Sequence, residues 1–386
     1  MSISSLEMKS FIDTTHAYTT KTLSAIFDGV HADGLPERID DALNTAFDVG
    51  LAASPDPSQP GYDYGIWGAA LEETGLFPSA SMLSAVAEAC GGVAMNLHSQ
   101  GLASSIVIKS GARQDPMPVR VAPAIQEEFG LPGWGTLGDP GLDAPARVLS
   151  EARQENGGYR IRGFKPFVYS IPGAEAMVVF CRVDDRWACF LVPLASNGVN
   201  CTPVGMRTGL RAAQLNHVSF SDVAVGAGAR LDDGDALPLL RHALSLNWLG
   251  MAAIGSGIAR GAVRAARKYA AERYQGGTIL ENLPAVRMLI AGAEANTEAA
   301  LALVRQASAI EQGDPILMRS CAMARLAGLR LAADAVTDSL QVLGGYGYME
   351  DYGMEKRLRD IATLKCMAGT PQYLKQFIFE SAEVLV

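Results

Sequence analysis

Hydrophobic positions change their spacing twice along the chain. Met82, Ala85, Val86 and Ala89, continuing through Val93, Ala94, Leu97, Leu102, Ile106 and Val107, mostly recur every three or four residues. That is the repeat of one buried helix face, so residues 1–128 read as a helical domain. A loop rich in Pro and Gly at 53–65 interrupts it. From 129 to 232 the texture is that of strands. Asn156-Gly157-Gly158 is a hairpin-type turn feeding Tyr159 and Ile161. The runs 176–181, 187–192 and 217–220 are short, carry β-branched and aromatic residues, and end at turn formers, which predicts a compact β-barrel or sandwich. From 233 to 386 helix returns. Leu326, Leu329, Ala333, Val336, Leu340 and Leu343 form one stripe, and Val286, Ile290, Ala293, Thr297, Leu301 and Val304 form another. Long helices with short connections predict an antiparallel bundle. The expected fold class is therefore α+β and multidomain.

Composition narrows the function. The 386 residues suffice for two or three domains, and 49% apolar with 19% charged residues is ordinary for a globular protein. A net charge of −9 argues against a nucleic-acid partner, which needs a basic face. An anionic cofactor needs only a few arginines and helix N-termini. The most apolar stretch, 243–259, is interrupted by Ser245, Asn247 and Ser256 and reads as a buried helix rather than a membrane span. Six cysteines without a C-x-x-C pair suggest buried free thiols in a reducing compartment. No metal site is expected. The first thirteen residues lack a basic start followed by an apolar block, so no signal peptide is expected and the cytoplasm is the expected location.

Two glycine clusters invite chemistry. Gly255-Ser256-Gly257 with Gly261 lies inside the apolar helical stretch with no strand before it, so close helix packing explains it better than a dinucleotide fingerprint. Gly344-Gly345-Tyr346-Gly347 follows a helix and could be a C-cap alone. It has company, however. Gln341-Val342-Leu343 precedes it, Arg359-Asp360 follows, and Met367-Ala368-Gly369-Thr370-Pro371-Gln372 opens the next helix. Upstream, Arg273 and Gln275 end a helix and are followed by Ile279 and Ala285-Val286. Leu210-Arg211-Ala212 leads to Val218, Phe220, Asp222, Val223 and Val225, and Phe167 to Ser170 closes another strand. In this order the segments resemble the acyl-CoA dehydrogenase superfamily, over about 85–382 and most strongly after 265.

The resemblance implies FAD as cofactor and a homotetramer or homodimer of subunits with helical, β and four-helix-bundle domains. Phe167, Val168, Tyr169 and Ser170 would flank the isoalloxazine. Arg273 and Gln275 would reach the FAD of a neighbouring subunit. Gln341, Gly344 and Gly345 would approach its pyrophosphate or adenine, and Thr370 and Gln372 would hold the cofactor. The sequence also departs from the family. Gly276 stands where Phe is usual and Pro284 where Gln is common, and the Thr-Glu-Pro-Gly-x-Gly-Ser-Asp segment is reduced to Asp139-Pro140-Gly141.

The usual glutamate that removes the substrate α-proton would align with Ala368, and its alternative position with Asn247. Neither can take a proton. His98 lies on the helix that lines the acyl cavity in this fold and is the candidate catalytic residue in their place. Trp248, Met251 and Trp134 suggest a flat or cyclic substrate. The expectation is an FAD-dependent oxidoreductase acting on an acyl-CoA thioester by an atypical route: α,β-dehydrogenation, oxygenation with O2, or both, on an activated acyl group. Oxygenating relatives in specialised metabolism, such as tropone biosynthesis, set the precedent. The alternatives are a flavin monooxygenase of a small non-CoA substrate and a non-catalytic partner subunit.

Overall fold

The computed structural model describes residues 5–27, 36–70, 75–112, 114–127 and 149–381. Helices α1 (Ser5–Ala17) and α2 (Pro36–Asp48) lead, through a loop, to α3 (Phe77–Ala89) and α4 (Gly91–Ser110). Helix α4 is buried along most of its length, polar side chains included. Those side chains tie it to its surroundings. Asn96 Nδ2 donates to the Ala212 carbonyl (3.0 Å) and Asn96 Oδ1 accepts from Gln214 N (2.9 Å). Gln100 Nε2 donates to the Ala53 and Val119 carbonyls, while its Oε1 accepts from Val121 N. Buried polar groups are stable only when paired in this way.

Seven strands make one curled, mixed sheet. They are β1 (Val121–Ala124), β2 (Glu151–Glu155), β3 (Gly158–Ser170), β4 (Ala176–Val183), β5 (Arg186–Pro193), β6 (Val199–Pro203) and β7 (Gln214–Gly226). The order is β1-β4-β2-β3-β7-β6, with β5 also on β4. Asn156 and Gly157 both take positive φ (51° and 75°) in the β2–β3 hairpin, the conformation that a two-residue primed turn requires. Alternation gives the sheet two apolar faces. Ala122, Val179, Phe190 and Phe220 cluster on one, while Val178, Phe180, Leu191 and Leu215 join the core shared with the helices. One element differs from the sequence reading. Residues 121–124 are a strand within a region expected to be helical, because the short run pairs in parallel with the buried strand β4.

The C-terminal part is helical: α5 (Leu237–Glu272), α6 (Pro284–Ser308), α7 (Pro315–Leu343), α8 (Met354–Cys366) and α9 (Pro371–Glu380). A short hairpin of β8 (Tyr274–Gln275) and β9 (Thr278–Ile279) separates the first two. The glycines of α5 serve close packing, as expected. A Cβ on Gly255 would lie 2.2 Å from Leu329 Cδ2, on Gly257 2.1 Å from the Ser84 carbonyl oxygen, and on Gly261 2.4 Å from the Glu88 carbonyl oxygen. Helices α3 and α7 thus press directly on its backbone. No helix among the described residues is long and apolar enough to cross a membrane.

Candidate active site

A cavity of about 570 Å³ opens where α4, the sheet, α5 and the α8–α9 turn meet. Strand β3 supplies Phe167, Val168 and Tyr169; α5 supplies Asn247 and Met251; α4 supplies Met95, Ser99 and Leu102; the turn supplies Cys366, Met367 and Ala368. Phe167 reaches the cavity because the β3–β7 register slips between Lys165 and Val168. It sits at φ 53°, half exposed, with its N–H toward His217 Nδ1 (3.3 Å) and its ring edge-on to that imidazole. Behind the bulge, Lys165 is fully buried and ion-paired with Glu127, whose other oxygen accepts from Ser150. This buried pair anchors the strand beneath the cavity wall.

The chemistry of the lining is unusual for a site meant to move a proton. Among the described lining residues there is no Asp, Glu or His, and Arg207 is the one side chain ionised at neutral pH. Burial pushes the Tyr169 phenol up to about 12, so it stays protonated. Ala368, at φ 49° and nearly buried, offers only a methyl group.

His98 stands behind this wall rather than on it. The ring is 1% exposed and both nitrogens are engaged. The Trp67 indole Nε1 donates to His98 Nδ1 at 3.0 Å. An indole N–H can only donate, so Nδ1 is the unprotonated nitrogen and Nε2 carries the hydrogen. Nε2 lies 3.1 Å from Asn247 Oδ1 and therefore donates to it. Burial lowers the His98 pKa to about 4, with the Asn247 hydrogen bond opposing. The ring is neutral at physiological pH. Space for it comes from Gly250, where a Cβ would fall 2.2 Å from His98 Cε1.

The other expected site residues fall into separate groups. Met251 lines the cavity beside Asn247. Trp248, expected against the substrate, is instead fully buried away from the lining; it donates from Nε1 to the Ala368 carbonyl (3.0 Å) and packs on Tyr373 and Phe377. It fixes the turn that carries Ala368. Ser170 is buried and accepts from Asn216 Nδ2 (3.1 Å), so it too lies off the lining. Thr370 caps α9 by accepting from Tyr373 N, and Gln372 is exposed. Arg273, Gln275, Gln341, Gly344 and Gly345 are not cavity residues; Arg273 stacks over the Tyr346 ring (5.0 Å) in a cluster with Tyr269 and Tyr352. Trp134 and Asp139-Pro140-Gly141 lie outside the described residues. The sequence reading missed Trp67, Ser99 and Gly250. A glycine inside a helix was the available signal for the last.

Comparison with known proteins gives this arrangement a family. The model of the acyl-CoA dehydrogenase C-terminal domain matches residues 237–382. The short-chain specific acyl-CoA dehydrogenase of Clostridium acetobutylicum is 28% identical, over 76% of this chain and 79% of that protein. The benzylmalonyl-CoA dehydrogenase of Aromatoleum aromaticum is 30% identical, over 60% of this chain and 62% of that protein. A glutaryl-CoA dehydrogenase from Mycobacterium smegmatis, solved in complex with FADH2, superposes with a TM-score of 0.81 at 16% identity, covering 98% of this chain and 95% of that one. Residues 237–382 thus belong to the acyl-CoA dehydrogenase family. Its members are FAD-dependent oxidoreductases acting on CoA thioesters.

The residues present fit FAD. Arg273 Nε is buried without a hydrogen-bond partner, an orphaned donor of the kind a pyrophosphate satisfies. Gly344 adopts φ 58°, and a Cβ on it or on Gly345 would meet nothing within 4 Å, so the backbone there is open to close approach. The Phe167 bulge places an aromatic side chain on the cavity wall.

Proposed function

We propose that this protein is an FAD-dependent oxidoreductase of an acyl-CoA thioester that works without a protein carboxylate as base. The carrying observation is the cavity lining, in which no described residue is Asp, Glu or His. Bound FAD supplies the hydride acceptor. The chain's own residues do the rest. Phe167, Val168 and Tyr169 form the wall against which the ring system lies. Arg273, Gln275, Gln341, Gly344, Gly345, Thr370 and Gln372 hold the nucleotide, some of them across a homodimer or homotetramer interface. Met95, Leu102 and Met251 give the acyl group an apolar wall. His98, neutral and enclosed, positions Asn247 and does not collect a proton.

General-base catalysis typically contributes about 10²–10⁴-fold. A site lacking it suits a substrate acidic enough at Cα to give its proton to water, such as a conjugated or cyclic acyl thioester. Oxygenation of that acyl group by O2 belongs to the same reading, the two electrons removed in dehydrogenation reducing the second oxygen atom to water. It goes with a cytoplasmic location and with three domains divided near 128 and 232. The test is the purified protein's visible flavin band. Anaerobic bleaching by an activated acyl-CoA and not by NADH is expected. Bleaching by NADH alone would favour a monooxygenase of a non-CoA substrate, and a colourless protein that refuses added FAD would favour a non-catalytic partner.

A further inference from the structure

Two helices present polar groups to the cavity that nothing in the described protein uses. The Trp67–His98 pair turns Asn247 Oδ1 toward His98 Nε2, because both upstream donors are fixed in direction. That orientation leaves Asn247 Nδ2, which has no hydrogen-bond partner among the described residues, on a side chain that lines the cavity. On α4, Ser99 is 3% exposed, also lines the cavity, and makes no hydrogen bond among the described residues. The relay is a built feature. Trp67 is fully buried at φ 64°, its N–H held by Ser79 Oγ (2.9 Å). Gly101 admits it, since a Cβ there would lie 2.1 Å from the Ile66 carbonyl oxygen and 3.0 Å from Trp67 Cδ1.

We infer that the Trp67–His98–Asn247 relay locks Asn247 as a hydrogen-bond donor that selects acyl groups carrying an oxygen substituent, a hydroxyl or keto group, beyond the thioester carbonyl. This deepens the proposed function and rests on it. A purely hydrocarbon chain would bury the Asn247 N–H group unpaired, which costs about 1–3 kcal/mol relative to a chain that offers an acceptor. Sites built to hydrogen-bond a substrate group reject the analogue lacking it for this reason. The Ser99 hydroxyl, which can donate or accept, serves the same oxygen. Asn247 is the contacting residue; His98 and Trp67 are positioning residues that keep its amide from flipping.

The test is anaerobic equilibrium dialysis of the FAD-loaded protein with butyryl-CoA, 2-hydroxybutyryl-CoA and 3-hydroxybutyryl-CoA. One of the hydroxy esters should bind about tenfold or more tighter than butyryl-CoA. Asn247→Leu should bring the three within about twofold of one another. His98→Leu should also lose the preference. His98→Gln should keep it, because an amide can accept from Trp67 and donate to Asn247 Oδ1. Equal binding of all three by the wild type, or an unchanged preference in Asn247→Leu, would overturn the inference while leaving the thioester reading intact. Binding of none of them, with the flavin band present, would overturn both. The flavin band of the same samples reports separately whether each variant folds and holds its cofactor.

Discussion

Substituting Gly250 by Ala probes the relay from the opposite helix. The added Cβ would lie 2.2 Å from His98 Cε1, 2.4 Å from Nδ1 and 2.9 Å from Nε2, so the imidazole must retreat by about 1.5 Å to reach an ordinary contact. The ring is tethered at both ends, to Trp67 at 3.0 Å and Asn247 at 3.1 Å, and such a retreat breaks at least one tether. The lost bond and the buried donor left behind cost about 2–4 kcal/mol. Alanine's better helix propensity offsets about 1 kcal/mol of that. Gly250→Ala should therefore destabilise by about 1–3 kcal/mol. In a His98→Ala background the obstacle is gone, and the same substitution should stabilise by about 0.5–1 kcal/mol. The assay is a four-protein cycle of urea unfolding at matched protein and FAD concentrations. Gly228→Ala, whose Cβ would meet nothing within 4 Å, serves as control. An effect of the same sign and size in both backgrounds would refute the placement of His98.

Other consequences can be checked in the same preparations. His98 has a folded pKa of about 4 against about 6.5 unfolded, so its contribution is fully present above pH 6.5. Below that the unfolded chain takes up a proton that the folded chain refuses, and about 3 kcal/mol is lost as pH falls to 4. His98→Gln should show a shallower loss over that window, and identical pH profiles would contradict the burial. Lys165→Met strands the Glu127 carboxylate in the interior and should cost about 3–5 kcal/mol by thermal unfolding, with Lys165→Met/Glu127→Gln recovering part of it. A cost under about 1 kcal/mol would mean the pair is solvated. Ala368→Glu places a carboxylate on the cavity wall, yet steady-state turnover of butyryl-CoA should stay low because Asn247 and Ser99 remain unpaired beside a hydrocarbon chain. High turnover would show that only the base had been lost.

Much of this architecture was legible because periodicity reports burial directly. The stripes through Val286–Val304 and Leu326–Leu343 became α6 and α7, and Asn156-Gly157 became the β2–β3 turn. Strand β1 was not legible, since four residues containing Pro123 carry no period and gain their conformation by pairing with β4. Around the site, periodicity tells that a helix face is buried but not whether core or cavity lies against it. Asn247 and Met251, four apart on α5, share the cavity face; Trp248 is turned about 100° away and meets Tyr373 and Phe377 instead. Strand alternation separates Tyr169 from Ser170 in the same manner. Trp67 had no sequence signal at all: its role comes from a left-handed backbone in a loop and a partner 31 residues away.

The most direct measurement is an anaerobic titration of the FAD-loaded protein with butyryl-CoA and with a conjugated or cyclic acyl-CoA, followed at the flavin band. A cavity whose described wall has no carboxylate or imidazole predicts rapid bleaching by the activated thioester and little by butyryl-CoA. Equally rapid bleaching by butyryl-CoA would mean that a base acts in this site after all, and the account would be wrong at its centre.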